Sequence, residues 1–276
     1  MPTVRTATGR TSCCQKLHKL AALRSPPGHE MEITFLGTGA GSFQGSRRHP
    51  AAVFVEGVLL DCGAGTTGRL EDLGLFNRVD AVAITHLHTD HVAGLFDFLL
   101  HTVIAKRQRP LTVLSPPGLS PILASLNAVD AFAVNPAKVY ELRVVEGALP
   151  TARVGPWTVE SVALEHSVYN VGYHLASTET SVFYTGDTRE PSAAADRHAD
   201  VLIHESTYAD RNATVAHTLG HSTSSQAARA AMQMRARRLF LTHLASQPGT
   251  EAEVRSEARA IFPDAELAEE CRRYEL

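Results

Sequence analysis

Residues 86–91 read HLHTDH, so His86, His88, Asp90 and His91 fall within six positions. Neutral imidazoles and a short carboxylate are the ligands that a borderline cation such as Zn²⁺ prefers. A single tetrahedral ion would struggle to take all four from so tight a turn, so two adjoining metal subsites are expected. The competing reading is a solvated histidine-rich loop. Residues downstream weigh against it: His166, Asp187, Glu205, His221 and His243 stand beside apolar runs or turns. One such position alone would mean little. Several in an alternating α/β chain describe an active-site rim at the carboxyl ends of strands.

The elements that must position these groups follow from periodicity. Ala81–Ile84 is the end of a buried strand that leads into the cluster. Leu95, Phe96, Phe98 and Leu99 after it form one helix face, and that helix runs on to Lys106. Glu32–Leu36 alternates as a strand. The glycine-rich stretch 37–42 misses the dinucleotide fingerprint and is expected as a turn approaching the metal site. Ala51–Val55 and Val58–Leu60 form a hairpin around Glu56-Gly57. Asp61, just past it, either braces a ligand histidine or caps the following turn. Thr66–Leu73 is helical and Gly74 stops it. Strands are expected over Leu111–Leu114, Val139–Val145, Trp157–Leu164, from Gly172, Ser181–Thr185, Val201–His204 and Arg238–Thr242, with a helix over Pro121–Ala128. Thr223 and Gln226 fit a capping box for a helix whose apolar stripe is Ala227, Ala230, Ala231 and Met234. Glu251–Ile261 makes another helix, and 268–276 holds a final edge strand.

The 276 residues suffice for one large domain or two closely joined halves. With 26 basic and 29 acidic groups the formal charge is −3, so no global positive field recruits nucleic acid. Cys13, Cys14, Cys62 and Cys271 show no zinc-finger spacing, which suits a reducing, cytoplasmic setting. No apolar run is long enough to span a bilayer. Residues 1–30 are basic, rich in Ser and Thr, and close on Pro26-Pro27-Gly28, without the apolar core of a signal peptide. They are expected as a flexible N-terminal extension to a domain over 31–276.

The strings FLGTGAG, LLDCGAGT, THLHTDHVAGL, HSVYNVGY, YTGDT, HEST, GHSTSSQAA and LTHL cover nearly all of 31–243. In that order they resemble the metallo-β-lactamase superfamily, and HEST with GHST resembles its ribonuclease Z-like branch. The resemblance implies an α/β fold, a four-layer αβ/βα sandwich, and two Zn ions (Mn or Fe being the other metals). It implies His86, His88 and His166 on one ion, Asp90, His91 and His243 on the second, and Asp187 as the bridge. Glu205 would orient His221, which would protonate a leaving group; Asp90, Glu205 and His221 are the implied catalytic residues. Two ions about 3.5–4 Å apart can hold a bridging hydroxide that attacks a phosphodiester. The implied activity is therefore a zinc-dependent hydrolase of the phosphodiesterase kind. A hydrolase of a carboxylic ester, thioester, lactone or lactam is the enzyme alternative, and a metal-bound regulatory or scaffold protein the non-enzyme one. His204 points the other way along its strand, His217 lines the rim or is solvated, and His101, His174 and His198 belong to no motif.

Two departures bear on partners. Ribonuclease Z enzymes commonly insert a long Gly- and Pro-rich arm after the Gly-Tyr of HSVYNVGY, and it grips transfer RNA. Here Gly172-Tyr173 reaches Tyr184 within a dozen residues. The Ser-x-Arg-Tyr that tends to follow the last histidine is replaced by Ala245-Ser246-Gln247-Pro248. A small phosphodiester or nucleotide is thus favoured over transfer RNA as the substrate. The branch is often homodimeric, so a homodimer is the expectation by resemblance.

Overall fold

Runs of apolar residues too continuous for a half-exposed sheet dominate the strands, and such strands must be covered on both faces. The computed structural model describes residues 31–41, 49–132, 134–189, 194, 196–245 and 250–276. The extension expected over 1–30 lies outside them. The first sheet takes β1 (Glu32–Gly37), β2 (Ala52–Val55), β3 (Val58–Leu60), β4 (Ala81–Ala83), β5 (Leu111–Ser115) and β6 (Leu142–Glu146). The second takes β7 (Thr151–Val154), β8 (Trp157–Leu164), β9 (Asn170–Ala176), β10 (Ser181–Tyr184), β11 (Val201–Glu205), β12 (Arg238–Thr242) and β13 (Ala265–Leu267). The last strand, β14 (Arg273–Glu275), returns to the first sheet beside β1.

The two sheets share one plan. In the order β14-β1-β2-β3-β4-β5-β6 the pairs are antiparallel as far as β3 and parallel beyond it. In the order β7-β8-β9-β10-β11-β12-β13 they are antiparallel as far as β10 and parallel beyond it. The C-terminal strand thus supplies the outer position that β7 fills in the other half.

Alternation along each strand sends one set of side chains to each face. Ile33, Phe35, Val53, Val55 and Leu60 meet Tyr173, Tyr184, Ile203 and Phe240 between the sheets. Phe35, Phe240 and Tyr274 interlock there, with ring centroids 4.6–5.7 Å apart. On the far side of the first sheet, Leu36, Phe54, Leu59 and Val82 pack under α1 (Thr66–Asp72), α2 (Thr89–Ile104) and α3 (Leu119–Ala128). On the far side of the second, Phe183, Leu202, Leu239 and Leu241 pack under α5 (Ser224–Gln233) and α6 (Thr250–Arg259). The result is the expected four-layer sandwich. The capping box forms as expected: the Thr223 side chain takes the backbone of Gln226, and the Gln226 side chain takes the N–H of Thr223.

The strand expected from Val139 starts later, at Leu142, because Pro136–Lys138 closes a 3₁₀ turn first. Among the described strands and α-helices, three escaped the periodicity. Strands β7 and β13 are only four and three residues long. Helix α4 (Ala213–Leu219) buries only Ala216 and so shows no apolar stripe.

Helix α2 must start close to the turn after β3, and Gly94 permits it. Its N–H donates to Cys62 O at 2.8 Å, and a Cβ there would stand 2.1 Å from Gly63 O. Helix propensity alone would make Gly94→Ala stabilising by about 1 kcal/mol. The clash is with backbone, which cannot swing aside, so overpacking wins. We expect G94A to lose about 1–3 kcal/mol in urea denaturation; a gain in stability would show that the approach is loose.

Candidate metal centre

Strand ends from both sheets converge on one place. Beyond β4 the chain runs through Thr85, His86 and His88 into α2, whose first turn carries Asp90 and His91. Strand β8 is followed by His166, β10 by Asp187, and β12 by His243; β11 ends on Glu205. His221 follows α4 across Gly220, which sits at φ +82°.

The donor atoms of His86, His88, His166 and Asp187 lie within 4.8 Å of one another, as do those of Asp90, His91 and His243. A third set, Asp187, His221 and His243, overlaps both. His86 Nε2 stands 3.0 Å from His88 Nδ1, and His166 Nε2 stands 3.3 Å from that same atom. His91 Nε2 and His243 Nε2 are 3.2 Å apart. Two Zn–N bonds of about 2.0–2.1 Å at a tetrahedral angle put their nitrogens about 3.3 Å apart, so the spacing is that of donors around shared cations.

Asp187 lies between the sets. Its Oδ2 is 3.3 Å from His91 Nε2 and 3.8 Å from both His86 Nε2 and His166 Nε2. Its Oδ1 is 3.2 Å from His243 Nδ1, outside hydrogen-bond geometry, and is buried without a hydrogen-bond partner. A buried anionic oxygen in that state needs a cation. The donor set and this orphaned oxygen fit a dinuclear zinc-type site.

The electrostatics divide the imidazoles: burial pushes His91 down, but the Asp187 and Asp61 carboxylates prevail and hold it well above the ordinary range. Burial holds His86 and His166 below the ordinary histidine range, so both are neutral and offer lone pairs. Burial opposes the ionised form of Asp187, but His243 and His91 outweigh it and hold the carboxyl well below its usual range. Asp90 is likewise lowered against the effect of its burial, by His243 and His91. Gly41 N donates to Asp90 Oδ2 at 2.8 Å, so the glycine-rich turn does reach the centre.

The ring nitrogens that face away from the centre are also held. Asp61 Oδ2 meets His91 Nδ1 at 2.8 Å, and that carboxylate also accepts Thr85 N and the Tyr184 hydroxyl, each at 2.8 Å. Asp61 therefore braces a histidine. His166 Nδ1 lies 2.7 Å from Gly220 O and His86 Nδ1 3.0 Å from Thr85 Oγ1, while His243 Nδ1, which faces Asp187 Oδ1, also lies 3.0 Å from Thr207 Oγ1. Such partners fix the tautomer and aim the ring. Thr85, Thr207, Tyr184 and Gly220 were not singled out from the sequence; their only signal was a place inside strings such as HEST and YTGDT.

Glu205 is fully buried. Its Oε1 accepts Thr188 N at 2.9 Å and meets His221 Nδ1 at 2.9 Å, while Oε2 accepts Thr207 N and Oγ1 at 3.1 and 2.7 Å. Burial pushes His221 down, but Glu205 prevails and raises it to about 9. The imidazole is partly exposed, and its Nε2 is turned away from Glu205. His204 is buried with Nδ1 2.6 Å from Glu205 O, and belongs to no donor set. His217 is exposed on α4. His101, His174 and His198 are engaged elsewhere, with Glu71, the His198 carbonyl and Asp200.

Where an arm would be inserted, β9 and β10 are joined by residues 177–180 alone, closed by Ser177 N donating to Thr180 O at 2.9 Å. Residues 246–248, which replace the Ser-x-Arg-Tyr pattern, lie outside the described residues.

A model of the beta-lactamase superfamily domain matches residues 57–244, the stretch that holds every donor above. The chain belongs to the metallo-β-lactamase superfamily. Within it the chain falls in the ribonuclease Z-like branch. It is 33% identical to ribonuclease Z of Salinibacter ruber, covering 90% of this chain and 95% of that one. That alignment spans 311 positions against 276 residues here, so the relative carries segments without a counterpart. The crystal structure of the short form of human tRNase Z superposes with a TM-score of 0.72 at 25% identity, over 88% of this chain and 98% of that one. The metallo-beta-lactamase fold protein YhfI from Bacillus subtilis shares the fold, with a TM-score of 0.75 at 23% identity over 89% and 99% of the two chains. Among the described residues no helix is long and apolar enough to cross a membrane.

Two metal predictions follow from this geometry. Protein purified without chelator should carry about two transition-metal ions per chain, and Asp187→Ala should lose at least one of them by elemental analysis. Two ions tightly retained in D187A would remove Asp187 from its place between the subsites. Asp61→Asn should weaken zinc binding about 10–100-fold in a chelator competition, since it loses the acceptor behind His91.

Proposed function

We propose that this protein is a dinuclear metal-dependent phosphodiesterase that acts on small diesters or nucleotides. In this reading His86, His88 and His166 hold one ion, Asp90, His91 and His243 the other, and Asp187 lies between them. When bound, the two ions supply an activated water and neutralise charge that grows on the phosphoryl oxygens. The rest of the chemistry belongs to the chain. Asp90 and Asp187 keep the pocket anionic, so that cations and not protons settle there. Glu205 grips Nδ1 of His221 and leaves Nε2 to give a proton to the departing oxygen.

The observation that carries this reading is the Glu205–His221 pair, 2.9 Å apart, beside the donor sets. An alkoxide leaving from phosphorus is a poor leaving group, and a positioned imidazole is the group suited to protonate it. The relatives named ribonuclease Z support a phosphodiester as the bond. The four-residue connection at 177–180 and the net charge of −3 support a small substrate over transfer RNA.

The test compares leaving groups. A nitrophenolate leaves without a proton, whereas a nucleoside alkoxide does not. We expect His221→Ala to slow cleavage of a dinucleotide about 10²–10⁴-fold more than cleavage of bis(p-nitrophenyl) phosphate, at equal metal content. Glu205→Gln should give a smaller loss of the same kind. Equal losses on both substrates would make His221 a positioning residue or a metal ligand. Turnover confined to carboxylic esters or thioesters would overturn the substrate class.

A further inference from the structure

Soluble chains scatter their exposed apolar side chains; a contiguous patch beside a reactive centre has a use. Among the described residues eleven large apolar side chains are exposed, and five of them line a rim of three segments beside the centre: Leu149, Val168, Tyr169, Val215 and Leu219, each between 42% and 55% exposed. Val168 and Tyr169 are in the turn that begins at His166. Val215 and Leu219 are one helical turn apart on α4, which ends against that turn: a Cβ on Gly220 would stand 2.8 Å from Ser167 N and 2.9 Å from His166 Nδ1. The Tyr169 hydroxyl donates to Ala148 O at 2.7 Å, which ties in the β6–β7 turn with Leu149. Leu149, Val168 and Tyr169 on one side and Val215 and Leu219 on the other thus flank the place where Gly220 meets His166 and Ser167.

Arg189 is the guanidinium between the rim's two halves, and it donates to His217 O at 2.8 Å and faces the Glu165 carboxylate at 3.7 Å. What the rim offers is apolar area and one aromatic face. The hydroxyl tether holds the Tyr169 side chain in place while the residue stays 51% exposed, so little ordering is needed to stack a planar group on it.

We propose that this rim is the subsite for the nucleobase of a nucleoside-bearing phosphodiester, with Tyr169 as its stacking face. The proposal rests on the phosphodiesterase reading and names the part of the substrate away from the scissile bond.

Two diesters with one leaving group separate the two ideas: the p-nitrophenyl ester of thymidine 5′-phosphate, and methyl p-nitrophenyl phosphate. They differ only in nucleoside against methyl. Wild-type turnover of the methyl diester bears on the phosphodiesterase reading; the preference between the two diesters bears on the rim. In metal-loaded full-length protein, Tyr169→Ala should cut the preference for the nucleoside diester, as a ratio of kcat/KM, about 10–100-fold, mainly through KM. Tyr169→Phe, which keeps the ring, should retain it within about 3-fold, because stacking needs the face and not the hydroxyl. Leu219→Ser perturbs the rim from a second element and replaces Y169A should that variant fail to fold. Thymidine 5′-monophosphate binding by calorimetry should weaken in parallel, and it decides the subsite even where neither diester is turned over. An unchanged preference and unchanged nucleotide binding in Y169A would overturn the proposal. So would a dimer that Y169A converts to monomer in sedimentation, since the rim would then be a contact between copies.

Discussion

A carboxylate with no hydrogen-bonded partner on one oxygen, closed off from water and ringed by imidazoles, is the constraint around which this molecule is built. Burying an anion costs several kcal/mol unless countercharges surround it. Asp187 is held anionic by His243, which faces one of its oxygens, and by His91, which faces the other beside His86 and His166. Those residues are on different elements, from the turn after β4 to the end of β12. The centre therefore exists only when the two sheets are packed face to face, and the aromatic contact of Phe35, Phe240 and Tyr274 helps to hold them so.

Around the donors the structure spends its polar groups on orientation. Asp61, Thr85 and the Gly220 carbonyl each hold a ring nitrogen that faces away from the centre, and Thr207 holds the His243 nitrogen that stands beside Asp187. An imidazole can present either nitrogen, and the bond made by one decides which is offered by the other. Glu205 does the same for His221, and it raises that imidazole as Asp187 and Asp61 raise His91.

The same frame explains what the chain has exchanged. A direct turn of residues 177–180 joins β9 to β10, and exposed apolar side chains stand beside His166. Reactive machinery at the strand ends and recognition in the loops are separable, because loops can change length without disturbing strand register. A core of the ribonuclease Z kind can therefore face a different surface.

The sequence by itself determined the chemistry and most of the scaffold. Histidines and carboxylates beside apolar runs gave away the donors, since metal ligation needs particular side chains whatever surrounds them. The capping box at Thr223 and Gln226, the hairpin around Glu56-Gly57 and the bounds of Trp157–Leu164 and Arg238–Thr242 were legible because each is a local rule of period or turn. Tertiary structure alone decided that Asp61 braces His91, since a bond across thirty positions leaves no local trace. It alone placed Arg273–Glu275 against β1, at the far end of the chain. Helix α4, too, was invisible in one dimension: it buries a single side chain, and its place is set by Gly220 and Ser167 meeting in space. Local patterns record what a residue does with its neighbours in sequence; contacts between distant segments arise only once the layers close.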